Sequence, residues 1–431
     1  IIDLRQTNPI RSGLYAVTDN IFGGVPNTGA NQQTAIQAAI NIACGRNGGD
    51  VYLGTGTWTI TTALDLDGPS NTCRGVTLRG AGKDATTLSV SGAIRGIRYA
   101  PAALQEAYIT VRDMSITGTV ASALDLVSIA NAATVVLTNV HIRNTADSCV
   151  FTSRVYNLAV RDSRIEDCTD YGISLTAQTE MFSIENVDFN ANNVIGVAHI
   201  YFENAARGVI KGNNLEGASD VVNAFRFNGG SYISIEANFV EFYTGSVALV
   251  QTGGATAIAF VRNHLHGLNS VVLDFSAGTN GNITIEYNRF ASNVAAGTIF
   301  NDGATNPYYY CNNSVENTVT AHVQGWAATL TCVTYSGEAE RYGVSAGRVF
   351  WDDSAATYRW NGSLYIGSNE NASIIRSGER LTLGTAASTG VIALRTAGAD
   401  RFVVYQYSAV NLAPLAAAPG TCAIGDHYID T

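Results

Sequence analysis

The sequence predicts an all-β fold: a right-handed parallel β-helix of about eleven coils with an N-terminal capping α-helix and a small β-rich C-terminal domain. The first observation is an internal repeat, because asparagines recur every 25 residues, at Asn213, Asn238, Asn263, Asn288 and Asn313. The second is that short strand-like runs follow one another without helices between them, which excludes parallel βαβ repeats. A unit of this size, stacked on itself, builds one continuous core.

The repeat units can be aligned by the first apolar run of each unit. Their spacing stays near 25 residues, apart from one longer step after Val76. The predicted starts are Val51, Val76, Ile109, Val135, Leu158, Phe182, Gly208, Ile233, Ile258, Ile283 and Tyr308. From these starts we predict that the β-helix spans residues 46–336.

The recurring asparagines are suited to the turn of such a unit. Asparagine tolerates left-handed backbone angles, and its amide can bond to the backbone and to the asparagine one layer away. We therefore predict an asparagine ladder.

The segment before the first coil is predicted to form a neck and a capping helix, residues 1–45. The helix is assigned to residues 31–45, with Asn31 as its N-cap and Gly45 at its C-terminal end. Laid over the first coil, an amphipathic helix would cover the apolar interior and the unpaired strand edges.

The period is lost beyond Cys332, and a β-rich module is predicted for residues 337–431. Asn361-Gly362 between alternating runs indicates a hairpin. The module is too small for a large core of its own, so we expect it to serve in trimerisation or glycan binding.

Charge and hydropathy exclude two classes of partner. The formal net charge is −10 and no basic run occurs, so we expect no nucleic-acid partner. No stretch approaches the ~20 apolar residues of a membrane span, so we expect no membrane insertion. Because the chain begins at Ile1 rather than Met, we expect it to be a fragment or a processed form.

The seven cysteines are scattered and contain no CxxC pair, which argues against a disulfide framework and a thiolate metal site. We expect the cysteines to be small, buried, apolar side chains in a protein that is synthesised in a reducing compartment. A Cys311–Cys332 bridge stays open. No metal or other cofactor is predicted, and no calcium-loop spacing occurs.

The register places two columns of side chains on one outer sheet. In each unit the residue seven places after the start is apolar, so its two neighbours must point outward. The first column is Ser115, His141, Arg164, Asp188, Asn214, Phe239, His264 and Arg289. The second column is Thr117, Arg143, Glu166, Asn190, Glu216, Glu241, His266 and Ala291.

Three carboxylates of these columns are the predicted catalytic residues, Glu216, Glu241 and Asp188. Glycoside hydrolysis needs one carboxyl group to protonate the leaving oxygen and another to act as base or nucleophile. Glu216 and Glu241 are stack neighbours, as a retaining pair requires, whereas the longer step from Asp188 to Glu216 suits an inverting pair. Both pairings stay open.

The predicted substrate-binding residues are His264, His266, Arg164, Phe239, Asn214 and Asn190. Phe239 could stack on a sugar ring, or it could pack in a trimer. A second candidate face comprises His199, Tyr201, Glu203, Arg226 and Asp274. A solvated salt-bridge patch is predicted for Arg161, Asp162, Arg164, Glu166, Asp167 and Asp170.

Two segments carry a family resemblance. GANQQTAIQAAINIACGRNGGDVYLGTGTWTITTALDLDG, followed by GVTLRGAGKDATTL, resembles the cap and first coils of pectate-lyase-like β-helix proteins, although Asn31-Gln32-Gln33 replaces the frequent Asp-Asp pair. The tail PGTCAIGDHYIDT resembles the C-terminal parts of phage tail fibre and tailspike proteins. The chain is thus similar to phage tailspike depolymerases. This resemblance implies a homotrimer in the virion tail, made in the host cytoplasm, that binds and cleaves bacterial surface polysaccharide at the cell surface.

Four functions compete. The leading one is an endo-acting hydrolase of O-antigen, capsule or exopolysaccharide. A lyase acting by β-elimination on a uronate-containing glycan could use Arg143, Arg164, Arg289, His264 and Tyr287. A non-catalytic receptor-binding spike would only hold glycan. A cell-wall-modifying bacterial lyase or epimerase is disfavoured by the tail-fibre-like C-terminus.

Overall fold

The structure is a computed structural model whose main body is one 30-stranded sheet, wound into a coil. It describes residues 13–69, 73–118, 124–190, 198–217, 223–242, 247–266, 271–275, 282–291, 298–302, 308–315, 321–324, 348–352, 357–361, 391–396, 399–405 and 410–411. Within these residues, no helix is long and apolar enough to span a membrane.

The coil has three faces, because each strand pairs in parallel with the strand one coil later. The first face contains Leu14–Ala16, Gly49–Tyr52, Gly75–Arg79, Phe182–Glu185, Ala206–Lys211, Ser231–Glu236, Thr256–Val261, Ile283–Glu286 and Tyr308–Cys311. The second contains Gly56–Ile60, Thr86–Val90, Arg164–Cys168, Asp188–Asn190, Asn214–Gly217, Phe239–Phe242, His264–His266, Arg289–Phe290 and Ser314–Val315. The third contains Leu64–Asp65, Ile97–Tyr99, Tyr171–Thr176, Ala198–Phe202, Asn223–Asn228, Val247–Gly253, Val271–Phe275, Thr298–Asp302 and Ala321–Gln324. Three longer strands turn the corners between faces: Gln105–Thr117, Val127–Thr145 and Val150–Arg161.

The predicted parallel β-helix and its register are confirmed from Val76 onward, because successive starts pair along the first face. The alignment of Val51 is wrong by two residues, since Gly49 pairs with Val76 and Val51 pairs with Leu78. Gly49 and Asp50 open that strand, so the search for an apolar start misses them. In the described residues, strands recur on all three faces from Gly49–Tyr52 to Ala321–Gln324.

The interior is a continuous apolar core lined by alternate residues of the strands. Aromatic rings fill its centre, and Phe202 stacks on Phe227 with ring centroids 4.3 Å apart. Gly208 takes the place of an apolar start because the Phe182 ring occupies the space of its missing side chain: a Cβ atom on Gly208 would lie 1.9 Å from Phe182. The aromatic ring and the glycine therefore form one complementary pair.

The asparagine ladder is confirmed. Asn213 Nδ2 donates to Asn238 Oδ1 at 2.9 Å and to the Ile184 carbonyl at 2.9 Å, and the same pattern repeats through Asn313. We expected the asparagines themselves to adopt the left-handed backbone angle, and this was wrong. The left-handed angle belongs to the residue before each asparagine, namely Gly212, Ala237, Arg262, Tyr287 and Asn312. The asparagines themselves are buried and replace backbone hydrogen bonds at the turn.

The capping helix is confirmed but shorter than predicted, spanning Gln33–Cys44. Its N-cap position is Gln32, without a side-chain cap bond, while Asn31 Oδ1 accepts from the Gln33 and Thr61 backbone N–H groups at 3.1 and 3.2 Å. Asn31 thus joins the helix start to the first coil. Gly45 ends the helix in a right-handed conformation, with φ of −60°.

The cysteines correct the sequence prediction, because two disulfides are present, Cys44–Cys73 and Cys149–Cys168. Cys44 is the last residue of the capping helix and is tied to the first coil. Cys149 and Cys168 lie 19 residues apart within one turn of the β-helix. Scattered positions in the sequence become neighbours through coil geometry, which spacing rules for small disulfide-rich domains do not capture. Cys332 lies outside the described residues, so the open Cys311–Cys332 bridge is untested.

The C-terminal strands are antiparallel. Arg348–Asp352 pairs with Thr357–Asn361, and Ala399–Tyr405 pairs with both Val391–Thr396 and Val410–Asn411. Asn361 ends a strand, but Gly362 lies outside the described residues, so the hairpin predicted there is untested. The chain divides into two compact units, residues 1–363 and 364–431.

Candidate functional site

The outward side chains of the second face form the two predicted columns. The inward residues between them, such as Ile116, Ile142 and Leu215, are fully buried. The first column is in register from Ser115 to Arg289. The second is in register from Thr117 to His266. Ala291 is a correction: it follows the end of its strand at Phe290 and is buried rather than outward.

Three carboxylates lie on successive rungs of these columns. Glu216 pairs directly with Glu241, so their backbones are ~4.8 Å apart. Asp188 lies one rung earlier, paired with Asn214. This pairing confirms the register of Asp188, which apolar alignment alone had supported. The two predicted carboxylate pairings therefore both remain available to a bound sugar chain.

Each of these carboxylates has a hydrogen-bonding group from an adjacent rung. Asn190 Nδ2 donates to Glu216 Oε2 at 3.3 Å, and Asn214 Nδ2 donates to Asp188 Oδ1 at 3.0 Å. His266 Nδ1 lies 3.2 Å from Glu241 Oε1. The predicted binding residues Asn190, Asn214 and His266 thus also orient the predicted catalytic carboxylates.

The rings of Phe239 and His264 contact each other beside the carboxylates. Their rings meet edge to face, with centroids 5.1 Å apart and planes at 82°. Phe239 pairs in register with Asn214 on one side and with His264 on the other. A partly exposed ring at this place can contact the apolar face of a sugar that lies over Glu216 and Glu241.

Glu166, which the sequence predicted to lie in a solvated salt-bridge patch, is the centre of a cluster of ion pairs. Its side chain is 9% exposed, and one imidazole and two guanidinium groups surround it: His141 Nε2 at 2.7 Å, Arg164 at 2.8 Å and Arg143 at 3.6 Å. The prediction of a solvated patch is therefore wrong for Glu166, although Arg161 and Asp162 are exposed as expected. Its position in the second column, two rungs before Glu216, was the available signal.

Asp167 follows Glu166 in a left-handed backbone conformation, with φ of 54°. Burial, and then the neighbouring Glu166 carboxylate, raise the pKa of Asp167, while Arg143, Arg164 and His141 act in the opposite direction. Its Oδ1 atom is buried and makes no hydrogen bond. The corner after the second face therefore holds a carboxyl group with few stabilising contacts.

The second candidate face is only partly formed. Tyr201 pairs in register with Arg226, and Val250 separates Arg226 from Asp274. Tyr201 stacks on Tyr171, with centroids 4.5 Å apart, so the ring faces contact each other. Glu203 lies just beyond the strand that carries Tyr201. The second face of the coil therefore remains the candidate site.

His199 is a correction, because it is buried rather than available to substrate. Its ring lies 5.5 Å from Phe189, and Nε2 is 3.2 Å from the backbone oxygen of Glu216. Burial lowers the pKa of His199 to about 4. His199 is thus a buried neighbour of the strand that carries Glu216. The sequence did not predict its burial, because the turn lengths before this face vary.

Metal binding has no candidate among the residues that the structure describes, because they contain no group of three or more His, Cys, Asp or Glu side chains placed to hold an ion. The arrangement on the second face is a set of carboxylates, amides, histidines and arginines. Such groups can hydrogen-bond sugar hydroxyls and transfer protons directly.

Comparison with known proteins adds the hand of the coil. Residues 63–240 match the family model described as right handed beta helix region. The fold is a right-handed parallel β-helix. The matched part of the β-helix includes the cluster around Glu166 and the Glu216 rung, and it ends one residue before Glu241. The sequence matches no curated protein.

Solved structures share this β-helix at low sequence identity. The catalytic unit of the GH87 α-1,3-glucanase from Streptomyces thermodiastaticus is 16% identical over 76% of this chain and 68% of that chain, with a TM-score of 0.51. An exopolygalacturonase from Thermotoga maritima is 12% identical over 74% and 91%, with a TM-score of 0.51. ORF18 of Geobacillus virus E2 is 15% identical over 79% and 65%, with a TM-score of 0.48. The likeness to the glucanase and the exopolygalacturonase concerns the fold.

Proposed function

We propose that the protein binds and depolymerises a bacterial surface polysaccharide by endo-glycosidic hydrolysis on the second face of its β-helix. The observation that carries the proposal is the in-register stack of Asp188, Glu216 and Glu241 on one outward surface. Two solved β-helix enzymes of similar fold are named for polysaccharide substrates, a glucanase and an exopolygalacturonase. They support the fold assignment, and the site supports the chemistry.

Hydrolysis requires a proton donor for the glycosidic oxygen and a second carboxylate that either attacks the sugar or activates water. With Glu216 and Glu241 on adjacent rungs, one side chain would protonate the leaving oxygen while the other acts as nucleophile, which retains configuration. If Asp188 acts with Glu216, the longer step leaves room for a water molecule, which inverts it. Substituting Asp188 and Glu241 one at a time distinguishes the inverting from the retaining mechanism.

A lyase is the second candidate, and the arginines on the same face favour it. β-Elimination needs a cation to neutralise the sugar carboxylate and a base beside it. Arg164 lies 3.7 Å from Asp188. On the next two rungs, however, the outward residues are Asn214 with Glu216 and Phe239 with Glu241, so neither rung carries an arginine. Hydrolysis therefore suits the central rungs better.

The biological setting that we propose is a homotrimeric phage tailspike in the virion tail. The proposal rests on the resemblance of the segments GANQQTAIQAAINIACGRNGG and PGTCAIGDHYIDT. The C-terminal module, residues 337–431, would serve in trimerisation or glycan binding. Light scattering of the purified protein should give three times the mass of the 45.4 kDa chain. A monomer at micromolar concentration would contradict the trimer.

The decisive test of the reaction is the chemistry of the fragment ends. The protein is incubated with a panel of purified capsules, O-antigens and exopolysaccharides. Hydrolysis gives new reducing ends without ultraviolet absorption, whereas a lyase gives absorbing unsaturated ends. Binding without fragments would indicate a non-catalytic spike and would reject both enzymatic readings.

The same assay assigns the second carboxylate. With a retaining pair, Glu241→Gln should lose cleavage and Asp188→Asn should keep most of it. With an inverting pair, the order is reversed. The configuration of the freshly released anomeric centre, followed by NMR, provides an independent check.

A further inference from the structure

The edge of the coil between the third face and the first face lies across the coil from the carboxylates of the second face. The residue directly before each aligned start from Ile109 to Ile283 lies on this edge. Strand register places these residues one above another. They form what we call the edge column: Tyr108, Thr134, Asn157, Met181, Arg207, Tyr232, Ala257 and Asn282.

Large apolar side chains on this edge are exposed to solvent. Tyr108 is 63% exposed, Met181 is 51% exposed and Tyr232 is 67% exposed. Among the described residues of the coil, the exposed large apolar side chains are Leu104, Tyr108, Tyr156, Met181 and Tyr232 on this edge and Leu124 and Tyr287 elsewhere. Exposed apolar side chains that are concentrated on one part of a protein surface mark a binding site.

The turn at this edge does not explain the side chains that it carries. Met181, Arg207 and Tyr232 have left-handed backbone conformations, with φ of 47°, 57° and 57°. Glycine and asparagine adopt this conformation most readily, and Asn282 does so in the same column. A large side chain is disfavoured there, and a largely exposed tyrosine gains little from burial in return. Strain of this kind, at a place where burial does not offset it, indicates a functional surface.

We infer that the edge column is a second binding site for polysaccharide, which holds a glycan chain parallel to the coil axis. Successive rungs are ~4.8 Å apart, so Tyr108 and Tyr232, five rungs apart, are separated by ~24 Å along the axis. The tyrosine rings offer apolar faces to sugar rings. Thr134, Asn157 and Arg207 lie between them and offer hydrogen bonds to sugar hydroxyls.

The shape and charge of the edge column fit a linear, uncharged stretch of glycan. The column presents one side chain per rung, whereas a stable protein partner needs about 20–30 residues on each side. Its one charged residue is Arg207, and Arg207 Nη1 lies 3.4 Å from Glu180 Oε2. Stacking and hydrogen bonds therefore provide the contact, and the inference requires no cleavage.

The experiment measures binding to purified capsules, O-antigens and exopolysaccharides, as the retardation of the protein in gels that contain the polymer. The parent protein is Glu216→Gln if the wild type cleaves the polymer, and the wild type if it does not. The binding inference is thus tested even if the proposed function fails. Failure of the parent protein to bind any of these polymers would overturn the inference.

Variants of Tyr232 assign the binding to the edge column. Tyr232→Asn removes the ring and suits the left-handed turn, so the fold should be kept. We expect it to bind the polymer at least about fivefold more weakly than the parent protein. Tyr232→Phe keeps the ring and should bind like the parent protein. Equal binding by Tyr232→Asn and the parent protein would overturn the inference.

Two controls separate a glycan site from other effects. Ile42→Ala removes an exposed apolar side chain from the capping helix and should leave binding unchanged. A loss as large as that of Tyr232→Asn would mean that the effect is not specific to the edge. Light scattering should give Tyr232→Asn the same mass as the parent protein. A lower mass would show that the edge is a contact between copies of the chain, which would also overturn the inference.

Discussion

Glutamates in one column of this β-helix differ sharply in their surroundings. Glu166 is nearly buried and contacts two arginines and one histidine, whereas, among the described residues, Glu216 contacts Asn190 and Glu241 contacts His266. The neighbours of Glu166 occupy both of its carboxylate oxygens, which leaves Glu166 less accessible to a bound sugar than Glu216 and Glu241. The catalytic role that we propose for Glu216 and Glu241 is based on this contrast as well as on their register.

His199 gives a pH prediction at the residue scale. Burial lowers its pKa to about 4, below the 6.5 of an exposed histidine, so the unfolded chain takes up the proton first. The stability that the neutral imidazole contributes is complete above pH 6.5 and is lost as the pH falls towards 4. Urea unfolding of the wild type should therefore weaken over this interval, and His199→Gln should show a flatter dependence. Parallel curves for the two proteins would refute this role of His199.

The burial and the contacts of individual side chains were the hardest features to predict from the sequence. Period and alternation give the outward columns, because strand geometry repeats regularly. Burial of Glu166 and His199 depends on the corners between faces, where chain direction changes and neighbours from other coils approach. Residues 161–170 contain six charged side chains that look alike in the sequence, yet Arg161 and Asp162 are exposed whereas Glu166 is buried.

At the element scale, the asparagine ladder is the feature that links sequence period to coil register. Asn263 Oδ1 accepts from the backbone N–H and the side chain of Asn238, and its Nδ2 donates to the Ile235 carbonyl and to Asn288 Oδ1. All these groups are buried, so an interrupted ladder leaves several of them without partners.

Asn263→Ala should therefore lower the free energy of unfolding by about 3 kcal/mol, because each buried polar group left unpaired costs about 1–3 kcal/mol. Thr256→Ala is the control, since Thr256 is exposed at the start of a strand in the same coil. Chemical denaturation followed by far-ultraviolet circular dichroism measures both. A cost for Asn263→Ala no larger than that of the control would mean that the ladder only reports repetition.

Element boundaries could be predicted where apolar residues begin a strand, and they were missed where glycine does. The two-residue error at Val51 arises because Gly49 opens the strand. Gly208 was aligned correctly by spacing, but its reason lies in the Phe182 ring one coil earlier, which no local pattern reveals. Contacts between coils thus fix details that the period alone leaves undetermined.

At the scale of the whole molecule, the disulfides were the main error of the sequence reading. Cys149–Cys168 closes one turn of the coil, and Cys44–Cys73 fastens the capping helix. A coil brings residues about one period apart into contact, so cysteines with irregular spacing can still pair. The sequence shows the fold class and the columns, but it does not show which corner residues meet.

The bridge within the coil should be measurable. The double variant Cys149→Ser, Cys168→Ser should lose about 3 kcal/mol of stability relative to the oxidised wild type, as expected for a crosslink between residues 19 apart. Urea midpoints give this difference, and peptide mapping without reduction identifies the linked pair. Wild-type protein that is purified under oxidising conditions and yields both peptides unlinked would contradict the bridge.

The central claim is that the stacked carboxylates of the second face cleave glycan, and the most direct measurement is the cleavage rate of Glu216→Gln and Glu241→Gln on a polysaccharide that the wild type degrades. Glu216→Gln, which removes the carboxylate common to both pairings, should lose at least about a hundredfold in kcat while still binding the polymer, because an amide cannot transfer the proton or attack the sugar. Glu241→Gln should lose as much if the pair is retaining. Glu286→Gln, which alters a carboxylate on the first face, should keep the wild-type rate. Full activity in both Glu216→Gln and Glu241→Gln would contradict the assignment of the active site to this face.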